Sequence, residues 1–167
     1  GILHGLDAMH GVGVGHLDIK PSNVILRDGD IPVLVDFGLS GRKLRPGCGT
    51  LEYVAPEVIG VLPDDHAPSA LAADVYAFAC MAFEVLTGRP LFEAADETAI
   101  LSLHLAHDGW PDGLVSFGRL PGLSDVAVVL AASLRRDSRA RPTVNEVRKA
   151  LAQAGRKEDA DRARAEF

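Results

Sequence analysis

Basic residues are missing from the start of this 167-residue chain: no lysine or arginine precedes Lys20, and acidic residues outnumber basic ones by 23 to 17 overall. A net charge of −6 with no basic stripe argues against a nucleic-acid surface, because binding the phosphate backbone needs clustered positive charge. Long apolar runs are also missing. The longest, residues 75–83, is too short to span a bilayer, and the start lacks the basic-then-apolar order of a signal peptide. The expectation is therefore a soluble, cytoplasmic protein without a membrane segment. Only two cysteines occur, Cys48 and Cys80, which suits free thiols in a reducing compartment rather than a disulfide framework.

What is present is 47% hydrophobic residues, enough for one sizeable core and most simply one domain. Ile2, Leu3, Leu6 and Met9 fall near helical spacing, so a helix is expected over residues 2–10, and the chain is expected to begin inside a domain. Gly11, Gly13 and Gly15 follow it. They do not make a phosphate-cradling glycine loop, because a helix rather than a strand precedes them and His16 fills the last slot. A helix C-cap and turn is the expected role.

Residues 24–26 and 33–35 are short aliphatic or β-branched runs separated by Arg27-Asp28-Gly29-Asp30, whose Asp-Gly pair supplies the positive φ of a tight hairpin. Asn23 stands just before the first run and Asp36 just after the second, so strand pairing brings both to one open end. An amide and a carboxylate beside a nucleotide suit Mg²⁺, which takes hard oxygen ligands and completes its octahedron with water and substrate phosphates. Asp18, in the loop leading in, is placed to accept a proton from a substrate hydroxyl.

The run His16-Leu17-Asp18-Ile19-Lys20-Pro21-Ser22-Asn23, then Asp36-Phe37-Gly38, then Ala55-Pro56-Glu57, resembles the catalytic loop, magnesium loop and closing motif of the eukaryotic-type serine/threonine protein kinase family. Arg141-Pro142-Thr143 resembles that family's late Arg-Pro segment. The resemblance covers nearly the whole chain but only the family's C-terminal lobe. It implies an α+β, mainly helical, kinase-like lobe over residues 1–154 with a short catalytic-loop hairpin, followed by a charged tail or linker at 155–167. It implies ATP and Mg²⁺ or Mn²⁺ as cofactors, a protein substrate, and an N-terminal lobe as the missing partner.

The same resemblance assigns roles. Asp18 is the implied catalytic base, Lys20 touches the transferred phosphate, Asn23 and Asp36 hold metal and nucleotide, and Thr50, in the Gly49-Thr50 docking segment, bridges Asp18 and Lys20. Glu57 is expected to pair with Arg141, and Asp74 to anchor the backbone N–H groups of the catalytic loop. His16 is expected to be a buried structural histidine. Leu17 replaces an Arg that in most of the family pairs with a phosphorylated activation loop. Ser40 and Thr50 are the only hydroxyls between Asp36 and Tyr53, so a kinase of this kind is expected not to need loop phosphorylation. No counterpart exists for the early-strand Lys that holds phosphate, so the chain alone is expected to be inactive.

Elsewhere, residues 69–87 read as a buried central helix stopped by Gly88, and 96–107 as a second helix. Residues 109–122 read as a Gly/Pro-rich connector, Ser124 as the cap of a helix to about 134, and Thr143 with Glu146 as a capping box for a helix ending before Gly155. His104 and His107 are expected at the surface, and Arg42, Lys43 and Arg45 as a solvated loop face. Two other functions compete. One is a catalytically dead kinase-like binding module with a docking surface around Thr50 and the helix from Asp96. The other is a small-molecule phosphotransferase, which Ala55-Pro56-Glu57 and Arg141-Pro142 oppose.

Overall fold

A computed structural model describes residues 1–44, 47–60 and 69–165, so Arg45 lies outside the described residues. In chain order the elements are α1 (Ile2–Gly11), β1 (Val24–Arg27), β2 (Ile31–Leu34), α2 (Pro56–Ile59), α3 (Ala70–Thr87), α4 (Glu97–Leu105), α5 (Asp112–Gly118), α6 (Ser124–Ser133) and α7 (Val144–Ala165). This is the mainly helical α+β fold expected, with one antiparallel two-stranded sheet among the described residues.

α3 is apolar on every side because two cores share it. Tyr76, Ala79, Cys80 and Phe83, spaced at helical intervals, face a core built with Leu114, Phe117, Ala127, Leu130 and Leu134. Val75, Phe78 and Met81 face a second core with Leu6, Ile19, Leu34, Val144 and Val147. Its length and hydropathy would suffice to cross a membrane, yet Asp74 is fully buried near its start. Ser69 caps the helix by accepting from the Ala72 N–H, and Gly88 ends it at φ 76°.

The hairpin has the expected register, Val24 opposite Leu34 and Arg27 opposite Ile31. Gly29 and Asp30 both take positive φ at its turn. After α1, Gly13 takes φ 73° and its N–H donates to the His10 carbonyl, so the glycines do form a helix end and turn. Gly15 has a separate reason: a Cβ there would lie 2.9 Å from the Ala70 carbonyl oxygen, where the loop after α1 crosses the start of α3.

Four expectations need correction. The connector contains α5, which low-propensity Gly113 and Gly118 concealed. Close packing explains Gly118, since a Cβ there would sit 2.9 Å from the Ala127 Cβ, and buried Leu114 and Phe117 anchor the helix. Ser124 is no cap: Leu123 holds that position without a side-chain bond, and Ser124 begins the helix. α7 runs through Gly155 to Ala165, because an exposed glycine among strong helix formers costs only about 1 kcal/mol. The capping box itself forms, with Thr143 N–H donating to Glu146 and Glu146 N–H donating to the Thr143 hydroxyl.

The fourth correction concerns the histidines. His104 is fully buried and His107 half-buried. Gly109 N–H donates to His107 Nδ1 at 3.1 Å, which leaves Nε2–H to donate to the Tyr76 hydroxyl at 3.3 Å, and that hydroxyl donates to His104 Nδ1 at 2.8 Å. Phe92 packs against both rings. Burial pushes each histidine down to about 4. Between pH 6.5 and 4 the unfolded chain takes up protons that the folded chain refuses, so stability present above pH 6.5 is lost as pH falls through that window. Urea unfolding at pH 6.5 and pH 5 should differ by about 2 kcal/mol, most of it from the fully buried His104, because solvent screens the share of half-buried His107. A His104→Gln/His107→Gln variant should lose most of that slope; an unchanged slope would refute the assignment.

Candidate active site

Between α1 and β1 the chain must turn while burying few polar groups, and Asp74 makes this possible. Its two carboxylate oxygens accept the N–H groups of His16 and Leu17, each at 2.7 Å, and His10 Nε2 lies 2.8 Å from Oδ2. To aim its N–H this way Leu17 adopts φ 68°, a left-handed conformation that a branched side chain holds only where the surroundings over-determine it. The buried charge expected to anchor the catalytic loop does bond its backbone. His16 is fully buried against Phe37, with Nε2 3.2 Å from the Val35 carbonyl, and has a structural place.

Asp18 follows directly and gathers the other polar groups. Lys20 Nζ lies 2.9 Å from its Oδ2, the Thr50 hydroxyl donates to Oδ1 at 3.0 Å, and the Asn23 amide donates to Oδ2 at 2.9 Å and to the Asp18 carbonyl at 2.8 Å. Lys20 also donates to the Thr50 hydroxyl at 2.8 Å. Four residues from two places in the sequence thus form one closed network. Burial pushes the Asp18 carboxyl up, but the bonds from Lys20, Thr50 and Asn23 and the Lys20 charge outweigh it and hold the group below its ordinary range. Asp18 is an ionised acceptor at neutral pH.

The hairpin sets the other side of the site. Val35 N–H donates to the Asn23 carbonyl at 2.9 Å, so the strands close just where these two residues flank them. Asn23 is buried with its amide nitrogen committed to Asp18, which turns the remaining amide oxygen to other use. Asp36 takes φ 63° and is exposed, and its Oδ1 accepts the Gly38 N–H at 3.2 Å. The two do not bond to each other. Among the described residues no cluster of three His, Cys, Asp or Glu could hold a metal. An amide and a carboxylate oxygen nevertheless fit Mg²⁺, which needs only one or two protein oxygens when phosphates complete its shell.

Beyond Thr50, Tyr53 donates its hydroxyl to Glu84 on α3, and Glu57 on α2 meets Arg141. Arg141 Nη1 and Nη2 reach the two Glu57 oxygens at 2.6 and 2.8 Å in a buried bidentate pair. Arg141 also donates to the carbonyls of Arg135 and Ala72, and its guanidinium lies 4.9 Å over the Tyr76 ring. Sequence reasoning paired Glu57 with Arg141 but missed the Tyr76 histidine chain. The signal was a tyrosine on a helix buried all round, whose hydroxyl needs a partner.

Fold and site together define a protein-kinase-like C-terminal lobe. The chain belongs to the protein kinase domain family, which matches residues 1–151. It is 34% identical over 130 residues to serine/threonine-protein kinase PknD of Mycobacterium tuberculosis, an alignment covering 74% of this chain and 19% of that protein. It is 36% identical over 107 residues to PknE of the same species, covering 60% and 18%. A third relative, PknH of Mycobacterium bovis, is 37% identical over 111 residues, covering 62% and 18%. The chain therefore aligns with less than a fifth of the length of these bacterial serine/threonine kinases.

Proposed function

We propose that this chain is the catalytic-loop half of a serine/threonine protein kinase, transferring phosphate from ATP to a protein hydroxyl once an upstream lobe completes the cleft. The single observation that carries the reading is the closed network of Asp18, Lys20, Asn23 and Thr50. A binding module has no need of it. Asp18, held ionised, orients the incoming hydroxyl and takes its proton. Lys20 neutralises charge on the transferred phosphate, and Thr50 fixes the distance between Lys20 and Asp18. Asn23 and Asp36 would hold Mg²⁺, which when bound offsets phosphate charge.

Ile25, Ile31 and Phe37 are each about half exposed, and the register puts Ile25 and Ile31 on one face of the hairpin. Apolar groups beside the oxygen donors suit a surface that a nucleotide base and an upstream lobe cover. A cytoplasmic location agrees with the need for ATP and with Cys48 and Cys80 as free thiols.

The test is to assay residues 1–167 alone and joined to a lobe carrying a glycine loop and strand lysine. Alone, ATP should bind weakly and transfer should be negligible; joined, both should appear. Robust turnover by the 167 residues alone would refute the need for a second lobe, and silence of the joined protein would favour the binding module.

A further inference from the structure

Among its described residues, the segment carrying Thr50 has few polar attachments. Gly15 and Gly41 exchange backbone bonds, the Ser40 hydroxyl donates to the His16 carbonyl at 3.3 Å, and Gly47 N–H donates to the Val58 carbonyl at 3.0 Å. Between Gly41 and Gly47 no hydrogen bond or ion pair among the described residues holds it, and Arg42 and Lys43 are exposed. Apolar contact is made there at Leu44. Leu17 and Leu44, both half-buried, pack on the core that contains Val54, Ala55, Val58 and Ala73. With Leu39 and Val58 they line a cavity of about 30 Å³ whose other walls include Asp18 and Thr50. Leu17 is held there by its backbone, whose N–H is fixed on Asp74 at φ 68°.

We propose that Leu17 and Leu44 are positioning residues, an apolar clasp that holds the Thr50 segment against Asp18 without any phosphate on the loop. The physical basis is that burying two leucines supplies locally what a charge-assisted phosphate contact would otherwise supply. An arginine at position 17 would replace the apolar packing of Leu17 beside Leu44 with a charged group and weaken the clasp. What the segment does rests on the kinase reading; what holds it does not.

Amide exchange therefore tests the clasp without an activity assay. In the 167-residue chain, Leu44→Ala should speed exchange of the Gly47 amide by about 10- to 100-fold while amides in the middle of α3 keep their protection. Leu17→Arg should act in the same direction, and the volume-conserving Leu44→Met should stay near the parent. An unchanged Gly47 rate in Leu44→Ala, or Leu44→Met as harmful as Leu44→Ala, overturns the proposal. Should Leu44→Ala unfold α3 as well, Leu44→Val decides: faster Gly47 exchange alone supports the clasp, and no change refutes it. In the joined kinase the same variants should raise KM for a peptide more than KM for ATP. A clasp seen in exchange without turnover would separate failure of the kinase reading from failure of this one.

Discussion

Asp18→Asn in the kinase assembled with an upstream lobe is expected to lower the phosphoryl-transfer rate by ~10²- to 10⁴-fold, the usual cost of removing a positioned base. The amide keeps the size of the carboxylate, so packing should survive. It cannot, however, accept from Lys20, Thr50 and Asn23 together as the carboxylate does. Raising Mg²⁺ or Mn²⁺ should not restore the rate. Asp36→Asn should also lose most activity but should recover in part as metal is raised, because it weakens a ligand rather than the base. Rates measured across a metal titration check both, and identical metal responses would undo the division of roles.

How much of this site was legible depended on whether its determinants were local. The hairpin was readable because strand period and an Asp-Gly turn act within a dozen residues, and it alone explains why Asn23 and Asp36 flank one end. The network around Asp18 was legible only through motif resemblance, since Thr50 lies 32 positions from Asp18 and nothing in local spacing joins them. The strained φ at Leu17 could not be read from its residue type, which avoids it; distant Asp74 imposes it.

Where reading failed, tertiary packing overrode local preference. Gly118 of α5 sits where α6 approaches too closely for a side chain, so a contact made elsewhere set the composition of the helix. His104 read as exposed because two histidines one helical turn apart, without a third ligand, are usually surface residues. Its burial is decided by Tyr76, 28 positions earlier, and by Phe92. Such pairings are properties of the folded chain, and a single sequence carries no signal of them beyond the unmet hydrogen-bonding need of a buried group.

Arg141→Ala is expected to destabilise the chain by about 3 to 5 kcal/mol, as removal of one partner from a buried ion pair does, because Glu57 is left charged and buried. The Arg141 side chain is fully buried and that of Glu57 nearly so. Replacing both by apolar residues often restores stability in buried pairs, but here it should not. Arg141 also donates to the Arg135 carbonyl, which lies beyond the end of α6, so a Glu57→Leu/Arg141→Met variant leaves that acceptor without its partner. Arg141→Lys should recover less than half the loss, since one ammonium with three donors cannot serve a carboxylate and two carbonyls lying in different directions. Urea unfolding of the three variants at pH 7 gives the comparison. A loss below 1 kcal/mol in Arg141→Ala, or a double variant as stable as the parent, would show that the pair and its carbonyl contacts do not hold α2 to this corner of the fold.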